Sequence, residues 1–265
     1  MAGKGYWADR IVKQQDVLYR KGVNAQNRQL ARYYKVALED TKTDIGNLYD
    51  KLVKESIDGN IKVNDLYRYN RYFEVVNNLN KKLNVLGQKE IQIDNLNFKD
   101  MYKQTCKIVG NNIDKFVYDS FTTDREAKQV LESLWVADGK HWSDRVWDNK
   151  SALQQQVEKG MVNCVSRGAS KDELVKTITQ SFNTDFYKAD RIARTELSHI
   201  QNTACANTYK TVGITQVQTI ISDDERLCDE CSSHENEIHD IADAVDGVAF
   251  NFHCGCRCSI VPVLN

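Results

Sequence analysis

The cysteines and one histidine near the end of the chain have the spacing of a metal site. Five of the eight cysteines lie between positions 228 and 258. A C-x-x-C turn directs two thiolates at one point, and a following H-x-x-C turn adds an imidazole and a third thiolate, which completes the tetrahedral shell of zinc. The predicted ligands are Cys228, Cys231, His253 and Cys256. Cys254 or Cys258 could replace one member of this set.

The same spacing indicates a structural metal rather than a catalytic one, because four protein ligands leave no open coordination position. His234 and His239 are one residue too far apart for the zinc-protease motif H-E-x-x-H, and we interpret their segment as a solvated acidic loop. The chain has no Gly-rich phosphate loop and no legible Ser/His/Asp arrangement. We therefore predict that the protein is not an enzyme.

Four charged residues are predicted to dock the metal segment on a helix. Arg194 and Glu196 lie on a predicted helix, and Asp224 and Arg226 lie in the turn before the first cysteine pair. Opposite charges on the two elements could pair. The alternatives are ordinary ion pairs on the helix surface and a catalytic Arg/Glu pair.

The elements that must position these residues are mostly long helices. The single proline, Pro262, stands near the end of the sequence, and proline breaks helix interiors. A helical stripe of apolar residues crosses the first 60 residues, at Leu30, Tyr34, Leu38, Ile45, Leu48 and Leu52. Further helices are predicted over about 65–86, ending at Gly87, over about 98–118, and from 142 to a C-terminal stop at Gly168. Two more follow a capping box at Ser170, the second of them ending at Gly213.

After Gly213 the pattern changes to alternation, which predicts strands near 216–221 and 256–261. The predicted fold class is α+β, mostly α. An elongated N-terminal helical region, residues 1–139, precedes a compact C-terminal helical domain, residues 140–265. A small β/zinc-knuckle module over 216–265 closes this domain.

Composition and charge limit the function classes. No run approaches 18 apolar residues, which argues against a membrane span and a membrane partner, and the first ten residues lack the pattern of a secretion signal. Residues 1–120 carry 21 basic and 15 acidic side chains, a net charge of +6, whereas 221–250 hold ten carboxylates and one arginine. Such a polarised chain can face an anionic neighbour with its first half.

Several motifs occur in an order that resembles a known family. They are Tyr6-Trp7-x-x-Arg10, Trp142-Ser143-x-Arg145-x-Trp147, Arg194-Thr195-Glu196, Asp224-x-Arg226-x-Cys228-x-x-Cys231 and His253-x-x-Cys256-Arg257-Cys258. The chain resembles the phage Mu F-like minor head proteins, also called phage head morphogenesis proteins, most specifically over about 140–265. Cys254-Gly255 stand where the family has Pro-Asn, and Leu227 replaces a small polar residue, but neither change removes a predicted ligand.

The resemblance implies a minor structural protein of a tailed-phage head that acts in procapsid assembly and, in some members, in DNA exit. We expect the portal protein, the major capsid or scaffold protein, and packaged double-stranded DNA as its partners. The expected location is the interior of the virion head near the portal, and the host cytoplasm during assembly.

The aromatic residues of the first half are predicted in part to fill the helical core and in part to dock on the portal or the inner shell, because tyrosine and tryptophan favour interface hot spots. They are Tyr6, Trp7, Tyr33, Tyr34, Tyr67, Tyr69 and Tyr72. Two other function classes compete with this reading. One is an enzyme effector that uses Arg194 and Glu196 or the metal, and the other is a zinc-stabilised nucleic-acid-binding module.

Overall fold

The computed structural model is mostly helical with one small sheet, as the sequence predicts. It describes residues 4–56, 61–113, 119–136, 138–221, 228–245, 247 and 250–263. The elements in chain order are α1 (Lys4–Glu55), α2 (Val63–Tyr67), α3 (Arg71–Gly110), α4 (Ser120–Glu132), α5 (Trp142–Ser166), α6 (Lys171–Thr211), β1 (Gln216–Ile220), α7 (Asp229–Ser233), β2 (Ile238–Asp240), α8 (Ile241–Val245) and β3 (Ser259–Pro262). None of the described helices has the length and hydropathy needed to cross a membrane.

The apolar stripe predicted in the first 60 residues is the buried face of α1. Its members at positions 30, 34, 45, 48 and 52 are buried, and Leu38 is partly buried. Steps of three and four keep these side chains on one side of a helix. Burial of this continuous apolar face stabilises α1 as one uninterrupted helix. The turn predicted at residues 58–60 lies outside the described residues.

Gly87 does not end a helix, contrary to the prediction. Helix α3 runs from Arg71 through Gly87 to Gly110 and joins the two predicted helices into one. A Cβ at position 87 would lie 2.6 Å from Cζ3 of Trp147. The glycine therefore allows the indole of Trp147 on α5 to approach the backbone of α3 closely. From the sequence alone, a glycine with this role cannot be distinguished from a glycine that ends a helix.

The ends of α5 and α6 follow the predicted signals. Gly168 has φ of +64° after the last turn of α5, a left-handed conformation that favours glycine. Ser170 Oγ accepts a hydrogen bond from the Glu173 N–H at 3.2 Å and caps α6. Gly213, with φ of +83°, follows the end of α6. The two helices predicted between Ser170 and Gly213 are one helix of 41 residues.

The sheet has the strand order β2-β1-β3, with β1 antiparallel to both neighbours. Val217 pairs with His239 on one side and with Pro262 on the other. Strand β1 falls within the predicted segment 216–221, and β3 overlaps the predicted segment 256–261 at residues 259–261 and extends to Pro262. Strand β2 was not predicted. The interpretation of the segment 234–239 as a solvated loop holds for residues 234–237, which form a turn and a loop residue, and is wrong for Ile238 and His239, which lie in β2. Their side chains are mostly outside the core, but their backbone completes the ladder of β1.

The chain forms two compact units. The first unit contains Met1–Gln26, Asp94–Trp142 and Asp190–Asn265, and the second unit contains Asn27–Ile93 and Ser143–Ala189. Each unit therefore gathers segments from both sequence halves, whereas the predicted domains, 1–139 and 140–265, were continuous. The difference arises because α1, α3 and α6 are long enough to supply residues to both units. The assignment of portal docking to residues 1–139 stays a prediction.

Each unit has its own apolar core. In the second unit, α1, α3, α5 and α6 contribute Leu30, Leu83, Val157 and Ile178 among other buried residues. In the first unit, the sheet packs on α3 and α6 through Val217 and Ile260.

A fully buried ion cluster lies inside the second unit. Lys150 Nζ is 2.8 Å from Glu90 Oε2 and 2.5 Å from Asp185 Oδ2. The Tyr34 hydroxyl lies 2.6 Å from the same nitrogen and contacts both carboxyls. Each of the four residues comes from a different helix. Burial raises the pKa of Glu90 above its usual value, although Lys150 opposes the shift.

We expect the substitution Glu90→Gln to become more favourable, relative to the wild type, as the pH rises above about 4.3, the ordinary pKa of glutamate. A folded-state pKa above the unfolded value adds stability that is complete at low pH and is lost as the pH rises through the folded pKa. A glutamine at position 90 stays neutral at every pH, so the variant does not lose stability in this way as the pH rises. Urea unfolding of both proteins across this range measures the difference.

Glu74→Gln, which changes an exposed carboxyl on the same helix, serves as the control. A difference between Glu90→Gln and the wild type that is constant with pH, or that falls as the pH rises, would contradict the expectation.

Candidate metal centre

The start of helix α7 sets the first ligand pair. Cys228 is the N-cap of this helix, and its Sγ accepts a hydrogen bond from the Cys231 N–H at 3.4 Å. The hydrogen bond from the Cys231 backbone lowers the pKa of Cys228 below its usual value. Cys231 stands one turn further on and is buried. The helix start thus turns both sulphurs toward the same point.

A tight turn sets the second pair. The Cys256 N–H donates to the carbonyl of His253 at 3.1 Å, and Gly255 between them has φ of +77°. His253 Nδ1 lies 3.0 Å from the carbonyl oxygen of Cys254. A proton on Nδ1 satisfies that carbonyl and leaves the lone pair of Nε2 directed at the cysteines, which is how proteins orient histidine ligands.

The predicted ligands converge. His253 Nε2 lies 3.2 Å from Cys228 Sγ and 3.0 Å from Cys231 Sγ. The sulphurs of Cys231 and Cys256 are 3.7 Å apart. A tetrahedral zinc ion separates two sulphur ligands by about 3.8 Å and a sulphur from a nitrogen by about 3.5 Å. Each of these pairs therefore has nearly the spacing of ligands on one zinc-sized ion, although no single group contains all four predicted ligands.

The ligand atoms form two overlapping groups. Those of Cys228, Cys231 and His253 all lie within 4.8 Å of one another, and so do those of Cys231, Cys256 and Cys258. Cys231 belongs to both. Either group could hold a metal ion, and the predicted set is divided between them, since Cys256 is grouped with Cys231 and Cys258 rather than with Cys228 and His253.

The local electrostatics favour a cation at this point. A hydrogen bond from the Cys258 thiol lowers the pKa of Cys256 to about 5, and the same contact raises the pKa of Cys258. Burial raises the pKa of Cys231 to about 12. Burial also works against a charged His253, but its hydrogen bond to Cys254 and the nearby sulphurs of Cys256 and Cys228 raise its pKa overall. A divalent cation would stabilise all the thiolates together.

Of the two alternative ligands, Cys258 lies in the cluster and Cys254 does not. Cys254 is exposed, and its Sγ lies 3.2 Å from Thr195 Oγ1. It belongs to neither ligand group. Cys258 is buried and belongs to the second group.

The four predicted docking residues fall partly outside the described chain. Arg194 Nε pairs with Asp190 on its own helix at 2.8 Å. Glu196 is buried and accepts a hydrogen bond from the indole of Trp135 at 3.0 Å. Asp224 and Arg226 lie outside the described residues, so their pairing with α6 stays a prediction.

Thr195, which we did not predict as a site residue, contacts the metal segment directly. Its Oγ1 accepts a hydrogen bond from the Gly255 N–H at 2.9 Å. The hydroxyl also donates to the Arg191 carbonyl one turn earlier on α6, at 2.8 Å. The ligand-bearing turn is therefore fixed to a helix through its glycine.

Two more polar residues of α6 continue this contact. Ser198 Oγ donates to Asn251 Oδ1 at 3.2 Å, and Asn202 Nδ2 donates to the carbonyl of Cys258 at 2.8 Å. Both are buried. With Thr195 they follow the helical steps of three and four, so a polar stripe within this helix was the signal that could have identified them.

His199 lies beside this stripe and is a packing residue. Its ring stacks on Trp135 with centroids 4.1 Å apart, and Asn251 Nδ2 lies 3.1 Å from its Nδ1. Burial lowers the pKa of His199 to about 3, so the ring is neutral near pH 7.

One comparison with known proteins identifies a family. Residues 155–261 match the family model described as phage Mu protein F like protein. The match confirms the resemblance predicted from the ordered motifs and covers all four predicted ligands, so the chain carries a phage Mu protein F like region. No curated protein and no solved structure is significantly similar to the chain.

We expect about one zinc ion per chain, because four ligands define one tetrahedral site. Elemental analysis of purified protein measures it. The double substitution Cys228→Ser/Cys231→Ser should remove the metal, whereas Cys254→Ser, which changes a cysteine outside the cluster, should not. Stoichiometric zinc in the double variant would show that the ligands are misassigned.

We expect Thr195→Val to loosen the turn that carries His253 and Cys256, because the Gly255 N–H loses its acceptor. A lost hydrogen bond of this kind costs about 1–2 kcal/mol, which corresponds to roughly tenfold faster amide exchange at Gly255. Thr211→Val is the matched control, since Thr211 also donates to a carbonyl one turn earlier on α6 but is exposed. Equal exchange at Gly255 in the two variants would argue against this role.

Proposed function

We propose that the protein is a zinc-stabilised minor structural component of the head of a tailed phage or phage-like particle. The match of residues 155–261 to the phage Mu protein F like family carries this proposal, since that family suggests a role in head morphogenesis. The convergence of the ligands in the same region supports the zinc-stabilised part of it.

The proposed ion is zinc, and its proposed role is structural. Three thiolates and one imidazole are ligands that zinc favours, and four protein ligands leave no position for a substrate. The nearest buried histidine, His199, is neutral and stacked on an indole, which does not suit an acid–base role near pH 7. These features support a function in assembly rather than catalysis.

The proposed partner is the portal protein, and an aromatic patch of the second unit is the proposed contact. We define the aromatic patch as Tyr67, Tyr72 and Phe73. Tyr67 and Phe73 are 43% and 53% exposed. The three rings contact one another, with centroids 5.1–6.3 Å apart. Packed aromatic side chains on a surface suit an interface hot spot because they bury large areas with little loss of side-chain freedom.

The aromatic residues outside this patch have different roles or cannot be assigned. Tyr34 is buried in the ion cluster, so it is one of the aromatic residues that fill the core rather than a docking residue. Tyr33 is partly exposed on α1. The side chains of Tyr6, Trp7 and Tyr69 lie outside the described part of the structure.

The proposed location is the head interior near the portal, and the host cytoplasm during assembly. The +6 charge of residues 1–120 suits packaged double-stranded DNA or an acidic surface of the portal, the capsid or a scaffold protein. The acidic stretch 221–250 would face away from DNA, because like charges repel.

We expect the full-length protein to co-purify with the portal ring of the same phage or prophage genome. Tyr67→Ala/Phe73→Ala should weaken binding at least about tenfold, as the loss of hot-spot residues does. Tyr187→Ala, which removes a more exposed aromatic residue of the same unit, is the control. Absence of binding by the wild type would refute the assignment of the portal as the partner. Equal binding by all three proteins would show that the aromatic patch is not the contact with the portal.

A further inference from the structure

The metal centre contains one more ligand than a tetrahedral ion needs. Cys228, Cys231, His253 and Cys256 suffice for zinc. Cys258 is a fifth ligand residue of the same cluster, within 4.8 Å of Cys231 and Cys256 at its sulphur. The ligand spacing left it as an alternative to a member of the predicted set, with no position of its own.

Chain geometry explains why both sulphurs of the C-x-C segment reach the cluster. Residues two apart on an extended chain point to the same side, and the residue between them points to the other. Cys256 and Cys258 are both buried, whereas Arg257 between them is half-buried. Asn202 on α6 donates to the carbonyl of Cys258 and fixes the chain there. Cys258 is therefore held next to the ligands.

The contacts favour Cys256 over Cys258 as the fourth ligand. Cys256 follows His253 in one tight turn, and its sulphur is 3.7 Å from that of Cys231, about the spacing of two thiolates on one zinc ion. The sulphur of Cys258 lies within 4.8 Å of the sulphurs of Cys256 and Cys231. It therefore lies beside sulphurs that would be bound to the metal.

We propose that Cys256 is the native fourth ligand and that Cys258 is a reserve ligand, which takes the fourth position when Cys256 is lost. This inference rests on the metal site of the proposed function. In the native site the sulphur of Cys258 lies beside the ligand sulphurs of Cys231 and Cys256 without binding the ion. In the absence of Cys256, its sulphur loses a proton and binds the ion, so the count of three thiolates and one imidazole is conserved.

Four variants of the full chain test the reserve ligand: Cys256→Ser, Cys258→Ser, the double variant, and Cys254→Ser as the control. Zinc content is measured by elemental analysis, and affinity by competition with a chelator. The Co²⁺-loaded proteins report the number of bound thiolates through their sulphur-to-metal charge-transfer absorption. This readout is independent of portal binding.

We expect both single variants to keep one metal per chain with the charge-transfer intensity of three thiolates. Cys258→Ser should bind zinc with about the affinity of the wild type, because it leaves the four native ligands unchanged. The double variant should bind the metal about a hundredfold more weakly, or less tightly still, and its charge-transfer absorption should have the intensity of two thiolates. The control should match the wild type.

Three results would overturn the inference while leaving a zinc-stabilised protein. They are loss of metal in Cys256→Ser equal to that in the double variant, a two-thiolate spectrum of Cys256→Ser, and two metal ions per wild-type chain. A wild-type chain that binds no metal would overturn both this inference and the zinc part of the proposed function.

Discussion

The convergence of two short segments on one point is the constraint on which the C-terminal part of the structure depends. Cys231, Cys256 and Cys258 form a small cluster of buried thiols, with Phe252 and Ile221 packed against it. So few apolar atoms make a weak core, and small modules of this kind commonly use a metal as a cross-link. The cap of α7, the left-handed glycine of the second turn and the orientation of the imidazole all serve this convergence.

Helix α6 supplies the rigid support that two short turns lack. Within the first unit, Thr195, Ser198 and Asn202 form a stripe of hydrogen-bonding groups that bind the backbone or side chains of the metal segment. Ligand geometry must hold to within a fraction of an ångström, and side chains on a long helix meet that demand better than side chains on loops. This dependence explains why buried polar residues occur on the face of α6 that meets the metal segment.

The sequence was most informative where the physical rule is local. Gly168, Ser170 and Gly213 act on the turns beside them, so these features were predictable. The spacing of the cysteines and the histidine likewise indicated a cluster that could hold a metal ion. Gly87 and strand β2 were not predictable, because each depends on a partner distant in sequence. Position 87 is a glycine because the indole of Trp147 lies where a side chain would be. Ile238–Asp240 is a strand because its backbone pairs with that of β1. The interleaved units were missed for the same reason.

The packing of Trp147 on Gly87 makes the residue allowed at each of these two positions depend on the residue at the other. Any side chain at position 87 would overlap the indole, whose ring atoms lie within 3.1 Å of the missing Cβ. A relative with alanine or serine there would need a smaller residue at position 147, and a relative with a smaller residue at 147 would be free to vary at 87. Substitutions at these two sites should therefore co-vary among proteins that share this helix pair.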